Sequence, residues 1–147
     1  CARGRSAGLV KSLLFDANAL LYWVYPSSPF HDDVSNLLHT AFEQEASCYA
    51  LSSSLNEIYY ALHSHYMSEG EARASIRDIA ETFDLVDLTG LQVFAALDSD
   101  EPDYEDGLIR SVAEALQVDA IISYDKKAFR KSFVPKMTAR EAAPHLS

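Results

Sequence analysis

Four acidic residues stand where a chain of alternating strands and helices would bring them together: Asp16, Glu57, Asp106 and Asp125. Asp16 ends the apolar run Leu13-Leu14-Phe15, which reads as a buried strand stopping at a polar point. A carboxylate in that position is expensive unless its charge is used. Asp125 ends a second such run, Ala120-Ile121-Ile122-Ser123-Tyr124. Glu57 falls in the first turn of the helix expected after Cys48-Tyr49-Ala50-Leu51, and Asp106 in the first turn of the helix expected from Asp103 to Leu116. Carboxylates gathered within a few ångströms repel one another and raise each other's pKa unless cations neutralise them. Mg²⁺ and Mn²⁺ take oxygen ligands. Two such ions about 4 Å apart activate water and stabilise a leaving oxygen in phosphodiester hydrolysis. Metal-dependent hydrolysis of that bond is the chemistry the pattern suits.

The elements that must position these acids follow from periodicity and punctuation. Residues 12–16 form a first strand, and Asn18 to Tyr25 a short helix ended by Pro26 and Pro29. Val34, Leu37, Leu38, Ala41 and Phe42 recur at helical spacing between Phe30 and Glu45. Ser52-Ser53-Ser54 offers N-caps for a helix over 54–67, and a further helix spans Glu71 to Phe83. A third strand at 85–88 precedes a helix near 91–97 and the acidic loop 98–102. After the strand 120–124 come a helical turn from Lys126 to Phe129, a last strand at Phe133-Val134 and a closing helix capped by Thr138. Strands alternating with helices predict an α/β class, a three-layer α/β/α sandwich on a mostly parallel sheet of four to five strands. In such sheets ligands gather outside the carboxyl ends of the strands, where Asp16 and Asp125 meet if their strands are neighbours.

The motifs resemble those of PIN-domain ribonucleases. Leu14-Phe15-Asp16-Ala17-Asn18-Ala19-Leu20-Leu21 resembles the family's opening motif, and Leu51-Ser52-Ser53-Ser54-Leu55-Asn56-Glu57-Ile58 its second. Asp103-Tyr104-Glu105-Asp106-Gly107-Leu108-Ile109 is similar to the third, in the subgroup that reads Asp-aromatic-Glu-Asp. Ile121 to Phe129 looks like the fourth, and Val134-Pro135-Lys136-Met137-Thr138 like the last strand and helix. The resemblance runs through residues 12–146. Gly107 departs from it, standing where alanine is commoner and weakening the helix by roughly 1 kcal/mol. Position 125 varies between Asp and Asn among relatives.

The resemblance implies an endoribonuclease requiring Mg²⁺ or Mn²⁺, selective for single-stranded or structured RNA. Small members resemble VapC-type toxins, which pair with an antitoxin protein and form homodimers. It implies Asp16, Glu57, Asp106 and Asp125 as catalytic metal holders, with Asn18 and Ser123 orienting ligands or waters. Asp103 and Glu105 compete with Asp106 for its role; Asp103 suits the N-cap, supporting the site, and Glu105 suits a solvent-facing position.

Each acid also has a plain structural reading. Asp16 could cap the following helix, Glu57 could be an exposed helix residue, and Asp125 a turn residue. Lys126, Lys127, Arg130 and Lys131 form the densest basic group beside the proposed site, suited to RNA phosphates or to simple solvation. His31, His39, His63, His65 and His145 follow no ligand spacing. Tyr22, Trp23, Tyr25, Tyr59 and Tyr60 suit a core or a dimer surface better than a platform for bases.

The 147 residues fit a single domain from residue 12 to 147, preceded by a leader or appended tail over 1–11. A net charge of −10 argues against non-specific coating of nucleic acid. Two cysteines, with Cys1 in the tail and Cys48 in an apolar run, give no disulfide framework and suggest the cytoplasm. No stretch is apolar enough over ~20 residues to cross a bilayer. Neither glycine-rich phosphate loop of nucleotide-binding folds occurs. The competing readings are a catalytically silent PIN fold and a receiver-like module, both acting through protein contacts. The receiver-like reading wants paired acids at the first strand end, where this chain has Asp-Ala-Asn.

Overall fold

A computed structural model describes residues 9–146. Five parallel strands form one sheet in the order β3-β2-β1-β4-β5. They are β1 Ser12–Phe15, β2 Ser47–Leu51, β3 Asp84–Val86, β4 Ala120–Ile122 and β5 Lys136–Met137. The helices are α1 Ala17–Val24, α2 His31–Glu43, α3 Ser52–His65, α4 Glu69–Thr82, α5 Gly90–Leu97, α6 Tyr104–Leu116 and α7 Ala139–Ala142, with a closing 3₁₀ turn Ala143–Leu146. This is the three-layer sandwich that the alternation predicts.

The two-residue period of the strands divides the core. Leu13 and Phe15 of β1, with Ala120 and Ile122 of β4, pack under α1, α2, α3, α4 and α7. Leu14 and Ile121 point the other way, into a second core with Leu51, Ala96, Leu108, Ile109 and Val112 beneath α5 and α6. A strand buried on both faces needs the continuous apolar run that β1 has. Helix starts are fixed locally: Ser68 and Glu71 cap α4 reciprocally, as do Thr138 and Glu141 for α7.

Chain order reverses between β1 and β4. From β1 the chain winds outward through β2 to β3, and later returns to lay β4 on the other side of β1. All strands are parallel, so their carboxyl ends share one edge, and a crevice opens at this switch point.

Four expectations need correction. Of the expected tail, residues 1–8 lie outside the described residues, but Val10 is buried in the first core. Its N–H donates to the His145 carbonyl at 2.8 Å, and the Lys11 carbonyl accepts from Ser47 N–H at 2.9 Å, so the fold begins before residue 12. The last strand is Lys136–Met137 rather than Phe133-Val134, because the ladder to β4 runs from Ile121 N–H to the Pro135 carbonyl and from Ser123 N–H to the Met137 carbonyl. Phe133 is 91% exposed. Residues 126–129 form turns rather than a helical turn, with Phe129 at φ 68°. Helix α3 begins at Ser52 with Leu51 as an N-cap that makes no side-chain bond, which puts Glu57 in the second turn. Among the described residues no helix is long and apolar enough to cross a membrane. Cys48 is a free, half-buried thiol whose pKa is pushed up to about 12, by burial first and then by Asp84.

Candidate active site

The crevice at the β1/β4 switch point is a small acidic pocket. Asp16, Glu57, Asp103, Glu105, Asp106 and Asp125 line it, together with Asn18, Ser53 and Ser54, around a cavity of about 120 Å³. The four acids singled out from the sequence are thus at one place. Among the described residues no three acidic, imidazole or thiol side chains stand close enough to ligate one ion as they are placed; the acids ring the pocket instead.

Asp16 is the most buried of them, at 7% exposure. Its backbone N–H continues the sheet by donating to the Ile122 carbonyl at 3.1 Å, which seats it beside Ser123. Its Oδ1 accepts from Ala19 N–H at 2.9 Å, capping α1. The structural reading of Asp16 as a cap and the chemical reading are therefore compatible. Ser123, itself buried, hydrogen-bonds the Asp16 carboxyl and accepts from Asp125 N–H at 3.1 Å. Asp125 in turn accepts from the N–H groups of Lys127 and Ala128 at 2.8 and 3.1 Å, as the head of a tight turn. One hydroxyl thus ties the acid after β1 to the acid after β4.

Helix α6 brings the next group. Asp103 caps it by accepting from Asp106 N–H at 2.8 Å, the role its place before the helix predicts. The Oδ2 of Asp106 is buried and has no hydrogen-bond partner. Buried acceptors are nearly always paired, and an unpaired carboxylate oxygen facing other acids is the group a cation would satisfy. Glu105 is exposed, as its place on the helix predicts, and it also lines the rim of the pocket beside Glu57, whose pKa it helps to raise.

Three pKa values rise in consequence. Asp16 is raised from 3.8 to about 6, chiefly by burial, with Asp125 adding to the rise and Ser123, Ala19 and Lys136 opposing it. Asp106 reaches about 7, by burial and then by the charges of Asp103, Asp125 and Asp16. Glu57 also moves up: its carboxyl is partly enclosed, and Glu105, Asp103 and Asp16 follow as causes. Helices α1, α3 and α6 all begin at this edge, and their positive ends temper the charge without cancelling it. These carboxyls bind protons more tightly than ordinary carboxylates, and a cation in the pocket would compete with those protons.

The loop after Asp125 is fastened from outside the pocket. The ammonium of Lys136 donates to the carbonyls of Asp125 and Ala128, the latter at 2.9 Å. Glu101, whose side chain is 3% exposed, accepts from Phe129 N–H at 2.7 Å and pairs with Arg110 at 3.1 Å. That bond holds Phe129 in its left-handed conformation, uncommon for a bulky residue. Arg110 also reaches Asp100 at 3.0 Å and Glu114 at 3.2 Å. The acidic loop therefore anchors the segment carrying Lys126, Lys127 and Arg130, all exposed, while Lys131 pairs with Asp100 at 3.0 Å. Lys136 and Glu101 had no signal in the sequence: their partners are backbone groups and a distant arginine.

A five-stranded parallel sheet with carboxylates gathered at its switch point is the architecture of a small acid-site α/β domain. The PIN domain family model matches residues 12–127, most of the chain, and this protein belongs to the PIN-domain family. Among solved structures, it is similar to the sarcin-ricin loop cleaving toxin VapC20 of Mycobacterium tuberculosis at TM-score 0.63 and 12% identity, over 77% of this chain and 89% of that one. It is also similar to VapBC2 from Rickettsia felis, solved bound to a DNA fragment from its promoter, at TM-score 0.67 and 14% identity, over 86% of this chain and 98% of that one. At these identities the likeness is one of fold. No curated protein matches by sequence.

Proposed function

We propose that this PIN domain is a metal-dependent endoribonuclease that hydrolyses RNA phosphodiester bonds, acting as the toxin of a toxin–antitoxin pair. The observation that carries the reading is the acidic pocket itself, with the unpaired Asp106 Oδ2 and the raised carboxyls of Asp16 and Asp106. Asp16, Glu57, Asp106 and Asp125 would hold Mg²⁺ or Mn²⁺, with Glu105 beside Glu57 at the rim. The bound ion supplies an activated water and a counter-charge for the phosphate. Ser123 and the Ala19 N–H fix the orientation of Asp16, as outer partners of metal ligands do. Asn18 lines the same pocket, where its amide can orient water or substrate. Lys126, Lys127 and Arg130 stand beside the acids with exposed cations for RNA phosphates.

RNA as substrate and a protein antitoxin as partner rest on the likeness to the VapC and VapBC structures. A homodimer belongs to the same reading. Leu91, Phe94 and Leu97 form an exposed apolar stripe on α5 that suits a contact between copies. Action in the cytoplasm goes with this proposal.

Cleavage of single-stranded RNA by the purified chain tests it. Activity is expected with Mn²⁺ or Mg²⁺, none with EDTA, and a loss of a hundredfold or so in Asp106→Asn. Asp103→Ser keeps the α6 cap and is expected to retain most activity. Metal-independent cleavage would reject the mechanism. No cleavage by the parent would favour a silent PIN fold that acts through protein contact.

A further inference from the structure

The acidic pocket is too small for a nucleotide. Its cavity of about 120 Å³ suits ions, a few waters and a phosphate, whereas pockets that enclose organic ligands run to about 300–1,000 Å³. Immediately beside it a second groove of about 670 Å³ opens, and Asp125 lines both. Three half-buried rings from separate segments line that groove: Tyr22 on α1, Phe30 before α2 and Tyr124 after β4. Phe30 and Tyr124 lie nearly parallel with centroids 4.1 Å apart, and Tyr22 meets Tyr124 edge-on at 5.4 Å.

The charges at the groove point to an anionic occupant. Arg140 is neutralised by Asp33 at 3.3 Å, and Glu141 is engaged in the Thr138 cap. Asp125 is engaged by the N–H groups of Lys127 and Ala128, and Lys136 bonds backbone carbonyls while its charge acts on Asp16; Lys126 is exposed, with no ion pair among the described residues. Flat rings beside the exposed ammonium of Lys126 match one nucleotide of an unpaired strand: a base to stack and a phosphate to neutralise.

We infer that this groove is the seat of a single nucleotide next to the scissile phosphate, its base stacked against the Phe30–Tyr124 pair and its phosphate met by Lys126. The inference rests on the ribonuclease reading, and it adds a source of strand selectivity. A base held in a duplex is not free to enter the groove, so the seat favours single-stranded RNA. It also gives Tyr22 a role beyond the core or dimer surface that the sequence suggests.

Binding without cleavage separates the two claims. A short oligouridylate carrying one 4-thiouridine is bound to the protein in EDTA, irradiated, and the crosslinked peptide identified by mass spectrometry. Crosslinks are expected on Phe30 or Tyr124, and Phe30→Leu, with its fold checked by circular dichroism, should weaken binding about tenfold. Lys126→Gln, at an exposed position that leaves folding intact, should weaken it several-fold and flatten its salt dependence. Crosslinks confined to other surfaces, or equal affinity in Phe30→Leu, would overturn the seat even if RNA is cleaved. Crosslinks at these rings in a protein that cleaves nothing would uphold the seat and reject the nuclease.

Discussion

Replacing Asp16 with Asn isolates one quantity, the burden of an ionised carboxylate in the crevice. Asparagine caps helices as well as aspartate, so the bond to Ala19 N–H survives and the charge alone goes. The folded protein holds this proton more tightly than the unfolded chain, so stability is complete at low pH and is lost as pH rises from 3.8 through about 6. At about 1.4 kcal/mol for each tenfold change in proton affinity, the rise from 3.8 to about 6 is worth about 3 kcal/mol once Asp16 is ionised. With about 2–4 °C of melting temperature per kcal/mol for chains of this size, Asp16→Asn should melt roughly 10 °C higher at pH 8 in EDTA. The gain should shrink toward nothing near pH 4. Thermal unfolding followed by circular dichroism across that range reads it directly. Added Mn²⁺ should raise the parent and leave the variant nearly unmoved. A variant less stable than the parent at pH 8, or a difference that does not change with pH, would refute the electrostatic account.

Two further outcomes probe the frame around the site. A Cβ on Gly107 would lie 2.8 Å from the Ala96 carbonyl and 2.8 Å from Ser99 Oγ, so Gly107→Ala should destabilise by about 1–3 kcal/mol through overpacking of α5 on α6. A more stable variant in urea denaturation would show that helix propensity, worth about 1 kcal/mol, outweighs the contact. Glu101→Ala leaves the Phe129 N–H unpaired while Arg110 keeps Asp100 and Glu114, and should cost about 1–3 kcal/mol, with faster hydrogen exchange at Phe129. Unchanged exchange there would contradict the bracing role of the acidic loop.

Much of this was legible because it depends on local pattern. The run into Asp16 identifies a doubly buried strand, and the parallel topology that follows from alternation forces Asp16 and Asp125 to the same edge. Glu105 faces water as helix-face reasoning predicts, and it still reaches the pocket because α6 meets it end-on, so Glu105 and Asp106 both line it from the first turn. The last strand was displaced because Phe133-Val134 carries a strand-like composition. The ladder to β4 sets the register, and it selects Lys136 and Met137. Gly107 looked like a weakness of α6 and is the close approach that lets α5 pack on it. The aromatic groove was invisible for a different reason, since Tyr124 lies far along the chain from Tyr22 and Phe30 and only the fold stacks them.

The central claim is that the carboxylates at the switch point exist to hold a divalent cation, and calorimetric titration with Mn²⁺ tests it most directly. The parent should bind the ion more tightly at pH 8 than at pH 6, because Asp16 at about 6 and Asp106 at about 7 must lose their protons first. Repeating the titration in buffers of different ionisation enthalpy should reveal proton release on binding, and Asp106→Asn should abolish the tight phase. No binding by the parent at pH 8, or the same affinity in Asp106→Asn, would contradict the account.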